Sequence, residues 1–95
     1  MSADAIRLAS ADNVATVLRA VAAGEDIHVI CGSDLTTLHA VDPIPMCHKI
    51  SVLPIADGQP VIKYGHVIGA ASAPVAVGRH VHVHNLRSTR ALAAA

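Results

Sequence analysis

His48 and Lys49 stand side by side, Lys63-Tyr64-Gly65 follows, and His80, His82 and His84 alternate ahead of Asn85. In a chain with 15% charged residues and one aromatic side chain, the seven histidines are the conspicuous polar groups. Imidazole suits proton transfer, metal ligation and anion binding near neutral pH. Lysine adds a point charge for a carboxylate, and the tyrosine hydroxyl a hydrogen-bond donor.

Neighbours on a strand face opposite ways, so His48 and Lys49 are not both expected in one cleft. His48 is the preferred site residue and Lys49 a candidate substrate contact; the bland alternative is a His48 bonded to a backbone carbonyl beside a solvated lysine. His80, His82 and His84 should share one face of a strand. At a rise of about 3.3 Å per residue the outer two Cα atoms lie about 13 Å apart, too far to ligate one ion through bonds of about 2 Å. Only an adjacent pair can chelate, and His82 with His84 is preferred because Asn85 follows to orient a ring or a substrate hydroxyl. No third ligand is near in sequence, so a solvent- or interface-facing row is the competing reading; at a boundary between copies of the chain, protonation near pH 6 would loosen the assembly. Lys63 and Tyr64 could hold a carboxylate, or Tyr64 could equally be a packing cap. Gly65 and Gly69 read as backbone geometry, since no phosphate-binding pattern surrounds them. Cys31 and Cys47 form no CxxC pair and read as reduced, small hydrophobes.

The framework that must position these groups is short and apolar. Ninety-five residues, 53% hydrophobic, support one domain with a dense core of Val, Ala, Ile and Leu, since Phe and Trp are absent. A formal net charge of zero and the lack of any basic run argue against nucleic acid as a partner. No 18-residue apolar run occurs, so neither a signal peptide nor a membrane span is expected, and a cytoplasmic location follows by default. Three segments share a grammar of aliphatic, two small residues, glycine, two residues, aliphatic: Val21 to Ile27, Ile55 to Val61 and Val75 to Val81. Each reads as a strand-turn-strand corner with glycine at positive φ. Val29-Ile30, Ile50 to Leu53, Val61 to Tyr64 and Val81 to Asn85 read as strands, with the five prolines at segment ends or edges. Val14, Val17, Leu18 and Val21 fit a helix after an Asp12 cap, yet the repeat grammar makes the same stretch a strand; strand or a short turn of helix is left open. The expectation is a mainly β domain of short strands with at most one or two short helical turns. Its boundaries are 12–86, with an N-terminal segment over 1–11 and a flexible tail over 87–95.

The ordered string IPMCHKISV, then IKYG with IGAA, then HVHVHN resembles the SAF domain of the altronate and galactarate dehydratase family. That resemblance implies a compact β-clip, akin to antifreeze-like modules, found fused to a sugar-acid dehydratase or as a separate small subunit. It implies a lyase whose site is completed by a large catalytic polypeptide carrying most of the hold on a divalent metal, Fe2+ or Mn2+, with a small sugar acid as substrate. His48 and His84 would then be catalytic, Lys49, Lys63, Tyr64 and Asn85 substrate-binding, and His82 with His84 metal-binding. Cys47, His66 and Ala70 depart from the family pattern, where glycine, an acid and a base are common. The small subunit of a sulfolactate sulfo-lyase and a non-catalytic binding or oligomerisation module are the alternatives.

Overall fold

A computed structural model describes residues 3–88. Nine strands carry the fold: β1 (Ala5–Ile6), β2 (Val14–Val17), β3 (Asp26–Cys31), β4 (Asp34–His39), β5 (Lys49–Ser51), β6 (Pro60–Lys63), β7 (His66–Ala71), β8 (His80–Val81) and β9 (Leu86–Ser88). No helix occurs among the described residues, so none is long and apolar enough to cross a membrane. One sheet runs β4-β3-β1-β2-β5-β8 and a second β6-β7-β9. Only β1 and β3 pair in parallel; the other pairs are antiparallel.

The repeat grammar is present four times rather than three. Segments 18–26, 41–49, 52–60 and 72–80 each pass through a bend, a bridging aliphatic residue, a turn and a strand start. The turns carry Gly24, Cys47, Gly58 and Gly78 at φ of 89°, 70°, 82° and 87°. The segments pair reciprocally. The Gly24 amide donates to Ala40 just before the second segment, and Cys47 donates back to Val17 just before the first. Gly58 to Ala71 and Gly78 to Ser51 repeat the exchange for the third and fourth. Bridges Val21 to Ile44 and Ile55 to Val75 close the two pairs, each on its own core. One core holds Ala15, Val17, Val21, Ile27, Ile44 and Ile50; the other holds Val14, Ile55, Val61, Val75 and Val81. Burying a valine- or isoleucine-sized side chain is worth about 1.5–3 kcal/mol, so these two clusters are the main source of stability.

The stretch left open between helix and strand is β2. It lies between the two cores, with Val14 in one and Ala15 and Val17 in the other. Burial on both faces removes the alternation that would have marked it as a strand. The first eleven residues are not an appendage, because β1 pairs with both β2 and β3 inside the larger sheet. At the other end, Arg87 pairs with Ala70 within β9, inside the tail expected over 87–95; residues 89–95 of that tail lie outside the described residues. The reading of residues 80–85 as one strand is corrected: β8 ends at Val81 and residues 82–85 form a turn.

Candidate functional site

The second corner frees His48 from its own turn. In the first and third corners the residue after glycine caps the turn: Glu25 Oε2 accepts the Ala22 amide at 2.6 Å, and Gln59 Oε1 accepts that of Ala56 at 2.8 Å. The equivalent donor position before His48 is Pro45, which has no N–H. His48 instead reaches across the sheet, where its Nδ1 lies 2.8 Å from His80 Nε2. The register of β5 on β8, Lys49 opposite Val81 and Ile50 opposite His80, continued by one residue sets His48 opposite His82. Those two rings stack at 4.1 Å between centroids with 21° between planes. The His80 ring lies 5.1 Å from His48 and 5.6 Å from His82. One ring nitrogen from each of the three histidines falls within 4.8 Å of the others.

Two polar side chains fix the backbone that carries this trio. Asp42 Oδ2 accepts the His80 amide at 3.0 Å while its Oδ1 accepts from Arg79 at 2.9 Å. Asn85 closes the turn: its Oδ1 accepts the His82 amide and its Nδ2 donates to the His80 carbonyl, both at 2.9 Å. A side chain competing locally for backbone partners is what ends the strand at Val81. Burial, then the neighbouring imidazoles of His48, His84 and His82, hold the His80 pKa below its usual 6.5. For His82 the order is burial, His48, Lys49 and His84, with the same direction. Both rings are therefore held toward the neutral form, able to accept a proton or offer a lone pair.

The cationic side of the rim comes from β5 and β6. Lys49 is half-buried, and burial followed by the charge of Lys63 pushes its pKa down. Lys63 Nζ sits 5.0 Å over the Tyr64 ring, and the Tyr64 hydroxyl bonds the Thr16 hydroxyl at 3.0 Å on the strand that pairs with Lys49. Buried Asp12 sets this corner. Its Oδ2 accepts the amides of Leu8, Ala9 and Tyr64, and its Oδ1 that of Gly65. Burial alone would raise the Asp12 pKa, but the four N–H donors together bring it below the ordinary carboxylate value. Asn13 beside it holds β6 through Pro60 and Ile62.

The structure thus brings His48, Lys49, Lys63, Tyr64 and His82 onto one rim. His48 stacks on His82, and the charge of Lys49 is near enough to lower the His82 pKa. Of the preferred metal pair, His82 and His84, the geometry groups only His82 with other histidines. His82 belongs to a cluster with His48 and His80, while His84 is exposed, tilted against His80 at 5.2 Å and lining a separate cleft of about 480 Å³ with Asp42, Arg79 and Asn85. Asn85 engages backbone through both ends of its amide. Three contributors were missed in the sequence: His80, placed in the row but not in the site; Asp42, to which no functional role was given; and Asp12, read as a helix cap. A second cleft of about 480 Å³ lies between Arg7, Cys31, Thr37 and Val77. Neither cleft is lined by His48, His80 or His82.

Residues 3–89 match the family described as the altronate/galactarate dehydratase SAF domain. Altronate dehydratases of Bacillus subtilis and Escherichia coli are 35% and 40% identical over 83 residues, 87% of this chain. The chain spans 16% of those relatives. The alpha subunit of (2R)-sulfolactate sulfo-lyase from Chromohalobacter salexigens is 41% identical over 49 residues, 52% of each chain.

Proposed function

This chain belongs to the altronate/galactarate dehydratase SAF-domain family, and from that premise we propose that it is the small component of a two-part sugar-acid dehydratase. The observation that carries the reading is the rim on which His48, Lys49 and His82 converge, next to Lys63. Lys49 and Lys63 bind the carboxylate of altronate, galactarate or a related sugar acid as two positive charges. Burial and mutual repulsion leave them poorly compensated until an anion arrives. His48 takes the proton from the carbon beside that carboxylate, and the carbon–oxygen bond to the β-hydroxyl breaks as the new double bond forms. His84, exposed beyond His80, delivers a proton to the departing oxygen, so water leaves. Tyr64 bounds the carboxylate pocket, and Asn85 holds the turn from which His82 projects. A large polypeptide covers the rim, excludes water and carries most of the hold on a divalent cation that would spread charge on the carboxylate.

The test is reconstitution. The chain is assayed alone, and then with the large lyase polypeptide of the same genome, for dehydration of a panel of sugar acids. Turnover only in the mixture is expected; full turnover by the isolated chain would overturn the division of labour. The second reading, loss of sulfite from sulfolactate, is favoured by one fact: the alpha subunit of (2R)-sulfolactate sulfo-lyase from Chromohalobacter salexigens is 41% identical over 49 residues. Sulfite release from (2R)-sulfolactate by the same mixture, without activity on sugar acids, would select it.

A further inference from the structure

We propose that His48, His80 and His82 form a metal site of their own on this chain, taking a first-row divalent ion such as Zn2+, Co2+, Ni2+ or Fe2+ through three imidazole nitrogens with a fourth position open. It rests on the preceding reading for the rim alone and assigns a ligand set there to this chain rather than to its partner; an imidazole that ligates through one nitrogen carries its proton on the other, so His48 is a ligand in the metal-loaded chain and the base only in the metal-free one.

The geometry is close to what coordination needs. Two nitrogens each about 2.0–2.1 Å from a tetrahedral ion lie about 3.3 Å apart. His48 Nδ1 and His80 Nε2 stand at 2.8 Å, and all three candidate nitrogens lie within 4.8 Å of one another. Coordination therefore opens one pair by about half an ångström and draws the third ring inward by no more than about 1.5 Å. Ring rotation supplies both movements, because none of the three rings is buried. In the 2.8 Å contact one nitrogen donates its proton to the lone pair of the other. A tautomer change moves that proton to the far side of its ring and turns both lone pairs toward the ion, with no change of net charge.

The backbone is set in advance by groups other than the ligands. Asp42 holds the His80 amide and Asn85 clasps both the His82 amide and the His80 carbonyl. The His48 carbonyl accepts the Val17 amide and its own amide donates to the Pro45 carbonyl, so its backbone is held as well. Three neutral nitrogen donors suit borderline ions and discriminate against Ca2+ and Mg2+, which want oxygen. Among first-row ions the affinity should rise from Mn2+ through Fe2+ and Co2+ to Ni2+. His84 and His66 are not members of the trio; the His84 ring is tilted against that of His80 at 5.2 Å between centroids.

The experiment uses the tag-free full chain stripped with a chelator, without substrate or second polypeptide. Zn2+ and Ni2+ are titrated calorimetrically, and Co2+ is followed by its visible ligand-field bands. One ion per chain is expected, with the intense spectrum of four-coordinate Co2+ and no heat from Ca2+ or Mg2+. His48→Ala, His80→Ala and His82→Ala should each weaken Zn2+ binding by more than the roughly 10–100-fold that losing an outer partner of a ligand costs. His84→Ala and His66→Ala should leave it unchanged. Circular dichroism and thermal melting confirm that each variant is folded, and His48→Gln, which keeps polarity and removes the imidazole, repeats the test if an alanine variant is not. Absence of one-to-one binding, or equal losses from His84→Ala and His48→Ala, would overturn the site. Such a result leaves the carboxylate reading standing, whereas metal binding intact beside inactive reconstituted complex would strike that reading alone.

Discussion

Cys47 occupies a glycine's place, and replacing it tests the fourfold architecture. Its φ of 70° is left-handed, as at Gly24, Gly58 and Gly78, and its side chain is exposed, so the thiol contributes little burial to offset the conformation. An L-residue in that region is disfavoured by about 1–2 kcal/mol. Glycine removes that strain but adds about 0.5–1 kcal/mol of chain entropy to the unfolded state. Cys47→Gly should therefore stabilise the domain by roughly 0.5–1 kcal/mol, the difference of those two ranges. For a chain of this size about 1 kcal/mol moves the melting temperature by about 4–8 °C. Urea unfolding with an unchanged slope and a raised midpoint is the assay. Cys47→Ala is the control, because it removes the thiol and keeps the strained Cβ, and it should give no gain. A Cys47→Gly variant less stable than the parent, or a gain equal to that of Cys47→Ala, would refute the assignment of this corner to the repeat.

Asp12→Ala removes the shared acceptor of the Leu8, Ala9, Tyr64 and Gly65 amides in a part-buried corner and should lower stability by about 1–3 kcal/mol, with Asp12→Asn milder, as read by denaturant titration. Asp4, Asp12 and Asp42 all have carboxyl pKa values below the usual 3.8. Their contribution is complete above the unfolded value and lost as pH falls through the folded values, so the urea midpoint should be flat near neutrality and drop below about pH 4. By NMR titration His80 and His82 should protonate at pH values below 6.5; midpoints above that value would contradict the clustering. Gly69→Ala would drive a Cβ into the Arg87 carbonyl and should cost about 1–3 kcal/mol as an overpacked contact, measured by thermal melting.

The β class, three of the four corners and the proline positions were legible because they rest on local chemistry: glycine at positive φ and proline without an amide donor. The fourth corner was hidden by Cys47, which has the strain of its position but not the residue type. The alternation of His80, His82 and His84 suggested a strand, and the Asn85 side chain, bonded to His80 and His82, bends it into a turn. The meeting of His48 with His82 depends on the register of β5 against β8, a tertiary fact, since His48 and His80 are 32 positions apart in sequence. Asp12 looked like a helix cap because its four amide partners include two from the distant Tyr64-Gly65 corner.

The central claim is that the rim does chemistry once another polypeptide covers it. Turnover by the reconstituted complex carrying His48→Ala, with assembly followed in parallel by sedimentation, tests this directly. The account predicts a complex that forms normally and fails to eliminate water. An assembled complex with unchanged turnover would contradict it.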